Sequence, residues 1–185
     1  MKSIRKLAIL GTLIFSVRAI AVDLMPEAMK WMGEYSQASA IHFTGPGDEK
    51  SCQLEAPDAK WDGRVCVETT QNKINISKVS DDKTGEKYLV QIGIIGGNIH
   101  TCDFAGEMTL QNDKLVYQDV IPDRKEICRI EIEHQGTGLK MAARDNCSEY
   151  YCGFGLVLTG TDQVFKRTGA GHEVTSQTAK QQEQE

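Results

Sequence analysis

The chain has 185 residues, the length of about one domain, with 40% hydrophobic and 25% charged side chains, which excludes a fibrous or wholly disordered protein. With 26 acidic against 21 basic residues the net charge is −5. That balance argues against nonspecific nucleic-acid binding, whose main contribution is phosphate neutralisation by Lys and Arg.

Lys2, Arg5 and Lys6 precede an apolar run from Leu7 to Val17, followed by Ala19-Ile20-Ala21. This order is that of a secretory signal peptide over residues 1–21, and the run is too short to span a bilayer. Its removal takes away Lys2, Arg5, Lys6 and Arg18, leaving 17 basic and 26 acidic residues and a net charge of about −9. The expectation is a periplasmic or secreted protein without a transmembrane anchor. Six cysteines, at 52, 66, 102, 128, 147 and 152, all follow the leader, so three disulfides are expected. Proximity favours Cys52 with Cys66, Cys102 with Cys128, and Cys147 with Cys152 among the fifteen possible pairings.

Residues 22–63 read as a short helix followed by a long loop. Met25, Ala28, Met29, Met32 and Tyr35 recur at helical spacing between Asp23 and Tyr35, giving an amphipathic helix that either packs on the domain or meets a partner. Residues 36–62 then lose periodicity and contain Gly45-Pro46-Gly47-Asp48 and Ala56-Pro57-Asp58.

Residues 64–168 change to short strand-like runs divided by Asn, Asp and Gly. Strands are expected at 65–70, 73–79, 87–95, 99–104, 107–111, 114–120, 127–133, 139–143, 155–159 and 164–165. Turns fall at Gln71-Asn72, Asp81–Gly85, Gly96–Asn98, Asn112-Asp113, Gly136–Gly138 and Gly160–Asp162. Alternation is clearest in Lys73–Ser77 and Cys128–Glu133, as a sheet with one solvated face requires. So many antiparallel strands leave unpaired edges unless the sheet closes. The fold class is therefore all-β, a disulfide-bonded antiparallel meander closing into a small β-barrel, with a β-sandwich as the alternative. Gly169–Glu185 has one Val and no other large apolar residue, and reads as a disordered tail.

No cysteine pair has redox-motif spacing, no Cys/His cluster has zinc-ligand spacing, and neither a nucleophile elbow nor a phosphate loop is present. Glu131 and Glu133, two apart on one strand, read as a solvated strand face rather than as a glycosidase pair. The expectation is a non-enzyme with no cofactor and no metal. Arg144–Gly153 stands out instead: a Cys147–Cys152 bridge would close a four-residue loop of Ser148, Glu149, Tyr150 and Tyr151. Such a preorganised aromatic-acidic element suits partner binding.

Cys102-Asp-Phe-Ala-Gly-Glu107, Leu115-Val-Tyr117, Cys128-Arg-Ile-Glu-Ile132, Gly138-Leu-Lys140, Cys147, Tyr151-Cys-Gly153 and Phe165-Lys-Arg167 are similar to small cysteine-rich β domains of secreted bacterial proteins. The resemblance covers about residues 98–168 and is to domains of the periplasmic lysozyme-inhibitor type. It implies a disulfide-bonded barrel and an envelope binding protein acting as an inhibitor or immunity-type protein against a basic cell-wall hydrolase. The Ser-Gly-x-x-Tyr loop motif of such inhibitors is absent, so no inhibitory residue carries over. A small-ligand carrier with the ligand inside the barrel, and a structural envelope component, are the alternative expectations.

Overall fold

A computed structural model describes residues 27–182 except 44, 46, 85, 98–99, 122–124, 153–157 and 159–163. The expected leader, residues 23–26 of the expected helix, and the expected strand and turn at 155–162 (Leu158 apart) lie outside the described residues. In chain order the elements are α1 (Glu27–Trp31), β1 (Gly33–Phe43), α2 (Glu49–Glu55), β2 (Lys60–Trp61), β3 (Cys66–Val79), β4 (Lys87–Ile95) and β5 (Thr101–Gln111). They continue with β6 (Lys114–Val120), β7 (Ile127–Gln135), β8 (Gly138–Ala143), α3 (Asp145–Tyr151), β9 (Phe165–Ala170), β10 (Glu173–Val174) and α4 (Ser176–Gln182).

Among the described residues, eight strands form a closed antiparallel barrel in the order β1, β3, β4, β5, β6, β7, β8, β9 and back to β1. Closure depends on β3, whose 14 residues pair with β1 from Gly33↔Ile76 to Phe43↔Cys66 and with β4 from Lys73↔Gly93 to Lys78↔Tyr88. Closing the sheet removes the unpaired edges that a meander would otherwise present. An eight-stranded barrel is just wide enough for side chains to fill, and this one is filled. Tyr35, Ile74, Ile76, Val90, Ile92, Phe104, Met108, Leu115, Ile130, Ile132, Leu139 and Phe165 are buried in one core. Each such residue contributes about 1.5–3 kcal/mol through burial.

Turn chemistry sets the hairpins. Asn112 and Asp113, both at positive φ, make the two-residue turn between β5 and β6, and Gly136 at φ 63 turns β7 into β8. Asp82 accepts hydrogen bonds from the amides of Thr84, Glu86 and Lys87 in the β3–β4 turn. Gly138 is a glycine because a Cβ there would collide with the Phe165 carbonyl and the Val164 side chain where β8 meets β9.

Four expectations need correction. Of the described part of the helix expected over 23–35 only α1 is helical, and its buried anchor is Trp31; Met32 just beyond it packs partly buried against the core and Met29 is exposed. The loop expected over 36–62 contains most of β1. That strand escapes notice because its inward positions include Gln37 and Ser39, while its apolar residues are only Tyr35, Ile41 and Phe43 amid small side chains. No turn divides β3 at Gln71-Asn72: Asn72 is buried and its Oδ1 accepts from the Ile95 amide at 3.0 Å, terminating β4. Residues 169–182 are ordered, because the backbone of 172–174 bonds the end of β3 and Val174 and Ala179 cover Val79 and Leu89.

The barrel has two distinct ends. Where β1 begins and β3 and β7 end, α1 closes the mouth with Trp31, whose ring lies 4.2 Å from that of His134. At the opposite end β1 and β3 run on together past the β4 pairing. There α2 and β2 complete a small satellite core around the Cys52–Cys66 disulfide, with Ala59, Phe43 and Trp61.

Candidate functional site

The second end is also where α3 sits, directly after β8. Cys147 in α3 bonds Cys128 near the start of β7, and Cys152 just beyond α3 bonds Cys102 near the start of β5. The disulfides therefore tie α3 across β6, which lies between β5 and β7 in the ring. Of the pairings expected from proximity only Cys52–Cys66 is found. The other two fail on geometry. Strands β5 and β7 are two spacings apart, about 9.5 Å, beyond disulfide reach. Cys147 and Cys152, five residues apart across a helix, project roughly 140° from each other about its axis.

Ser148, Glu149, Tyr150 and Tyr151 thus belong to a helix and not to a cystine loop, and the helix divides their roles. Ser148 is buried, and its Oγ accepts from the Leu158 amide at 2.8 Å. Tyr151 is half-buried, edge-on to Phe104 at 5.1 Å, with its hydroxyl 3.0 Å from that of Tyr117. Tyr117 also donates to Asp119 at 3.4 Å. Burial, and then the hydrogen bond with Tyr151, push the Tyr117 phenol far above its ordinary range, so it stays neutral. These two residues, Ser148 and Tyr151, hold the helix in place.

Glu149 and Tyr150 face solvent. Tyr150 lies edge-on to Tyr151 at 4.9 Å, so its ring is backed by an aromatic layer while its own outer surface stays exposed. Beside it, Asn146 Nδ2 donates to the carbonyl of Ile127 at 2.6 Å, fixing α3 against β7. Ile127 pairs with Val120 across β7 and β6, and both side chains are exposed. Of the five large hydrophobic residues exposed among the described residues, Leu54, Val120, Ile127 and Tyr150 lie at this end; Met29 alone lies at the other. Val120 and Ile127 were missed from sequence. They occupy outward positions in strands whose alternation puts Tyr117, Cys128 and Ile130 inside, and that mismatch was the available signal.

The carboxylates of Glu131 and Glu133 are occupied elsewhere, each pairing with Lys114 Nζ, at 3.2 and 3.0 Å. Arg129 and then Lys114 hold the Glu131 carboxyl below its ordinary range. Among the described residues no group of three or more Cys, His, Asp or Glu is placed to hold a metal, and no helix is long and apolar enough to cross a membrane. The fold and this site define a class, the disulfide-stabilised closed β-barrel with an exposed aromatic-acidic helix at one end. No family description, curated protein or solved structure matches the chain.

Proposed function

We propose that this is an exported binding protein that engages a protein partner through the α3 end of its barrel, the first candidate being a basic cell-wall hydrolase that it inhibits. The observation that carries the reading is the apolar surface at that end, where Tyr150 projects from a helix held by two disulfides beside exposed Val120 and Ile127. A rigid, backed aromatic on a surface with apolar neighbours is what a binding hot spot requires, since little conformational entropy is lost when it is covered. Glu149 and the acidic balance of the chain favour a basic partner and speed its encounter. Three disulfides suit an oxidising compartment outside the cytoplasm, which agrees with the leader-like N-terminus. Carriage inside the barrel is less well supported, because side chains fill the described interior.

The test is a lysis assay against a panel of lysozymes and bacterial peptidoglycan hydrolases, with the wild-type protein and Tyr150→Ala. Tyr151 is left intact because its replacement would loosen α3. Inhibition weakened at least tenfold by Tyr150→Ala is the expected result. Saturating protein that forms no complex with any hydrolase and inhibits none removes the proposal.

A further inference from the structure

Alternate residues of β3, β4 and β5 fill the barrel, and those between them form its outer wall in rows fixed by the register: Lys73, Gly93 and Asp103, then Asn75, Gln91 and Ala105. Gly93 and Ala105 are too small to fill this wall. A cleft of about 510 Å³ opens over them, bounded by Tyr151 at the end of α3 and Gln182 at the end of α4. Two smaller clefts adjoin it and share Lys73, one reaching Ser36 and Thr168 on β1 and β9, the other reaching Thr70 and Thr101. Lys73 and Asp103 flank Gly93 from strands two spacings apart, roughly 9.5 Å. They form no ion pair with each other or with any other described residue. Asn75 and Gln91 are partly buried, yet their side-chain amides make no hydrogen bond among the described residues.

The two amides each present donors and an acceptor, the carboxylate only accepts and the ammonium only donates. A ligand that satisfies them together carries several neutral groups that donate and accept at once, as the hydroxyls of a sugar ring do. Opposite charges on facing walls give an ion no preference, and the acidic balance of the chain opposes a nucleic acid. Strand β4 is paired on both sides beneath the cleft, so its backbone offers an extended peptide no free edge. We propose that this cleft binds one ring of a neutral linear saccharide, with further rings in the adjoining clefts. Asp103 accepts from neighbouring hydroxyls, Lys73, Asn75 and Gln91 complete the polar contacts, and Tyr151 supplies the aromatic border. Tyr150 is outside the cleft, so saccharide binding and partner binding can fail independently.

The experiment titrates the full protein with cellohexaose and with chitohexaose, which differ in the acetamido group, by calorimetry and by amide chemical shifts. A Cβ at Gly93 meets only Asp103 Oδ1, at 3.8 Å, so Gly93→Gln fills the cleft without displacing the strands. Gln91→Ala removes an amide without filling anything, and Gln177→Ala on α4, outside the cleft, is the control. Melting curves verify that the variants fold. Saturable binding that shifts residues 73–75, 91–93 and 103–105, weakened at least tenfold by Gly93→Gln, at least threefold by Gln91→Ala and under twofold by Gln177→Ala, supports the proposal. Equal binding of the two probes assigns recognition to ring hydroxyls, and binding of chitohexaose alone assigns it to the acetamido group. Binding of neither probe at millimolar concentration, shifts confined to other residues, or binding unchanged in Gly93→Gln overturns it.

Discussion

Tyr117 and Tyr151 meet hydroxyl to hydroxyl at 3.0 Å over the ring of Phe104, and this contact joins the barrel interior to the exposed helix. Tyr117→Phe removes that bond and leaves the ring packing, so urea denaturation is expected to register a loss of about 1 kcal/mol. Tyr35 and Tyr117 are both raised above the ordinary phenol value of 10.0, chiefly by burial. In the unfolded chain they ionise near that value while the folded protein keeps its protons. Stability is thus undiminished below about pH 10 and falls as the pH rises further. Denaturation midpoints between pH 9 and 11 test this, and a midpoint that rises across the range contradicts it. Gly138 is equally constrained, since β8 and β9 leave no room for a side chain; Gly138→Ala is expected to cost about 1–3 kcal/mol in the same assay.

Among the elements, α3 and α4 are held by different means. The Cys102–Cys152 and Cys128–Cys147 bridges close separations of 50 and 19 residues. Chain entropy assigns them about 4 and about 3 kcal/mol. Paired Cys→Ala replacements measured by chemical denaturation are expected to follow that order, and both are expected to weaken the proposed binding through Tyr150 by releasing one end of its helix. The tail from Gly171 to Gln182 has no covalent tie. Asp81 Oδ1 accepts both the amide and the hydroxyl of Ser176 at 2.7 Å, and those bonds hold its carboxyl below the ordinary aspartate range. The contribution of this cap is complete above the ordinary aspartate pKa and is lost as pH falls through the depressed folded value. Hydrogen exchange at Ser176, corrected for its intrinsic rate, is therefore expected to accelerate in acid before that of the barrel strands.

At the scale of the whole molecule, closure and filling of the barrel leave its two ends as the surfaces that differ in character. An interior occupied by Tyr35, Tyr88, Phe104, Met108 and Phe165 is expected not to take up an apolar dye in the native state, which fluorescence titration checks. The two ends differ in character: one is apolar and aromatic around Tyr150, the other cationic around Lys166 and Arg167. The proposed basic partner is expected to associate with this acidic chain more slowly as salt rises, with little change in dissociation.

Local chemistry was sufficient to read the fold class. Alternation in Lys73–Ser77 and Cys128–Glu133, together with turn residues at Asn112-Asp113 and Gly136, specifies hairpins of a sheet that must close. At the candidate site the cysteines flanking two tyrosines and a glutamate were legible as a segment, but not that it is a helix, nor that Glu149 and Tyr150 face outward while Ser148 is buried. What depended on distant parts of the chain was not legible. Strand β1 is defined by its eleven pairs with β3 and hardly by its own pattern, and Asn72 belongs in a strand only because the amide of Ile95 reaches it. The disulfide partners were decided by which strands stand within bonding distance of α3, a property of the ring order, while sequence proximity misled. The same holds for Tyr150 and Tyr151. They are adjacent and chemically identical, and the helix turned one into the core and the other into solvent.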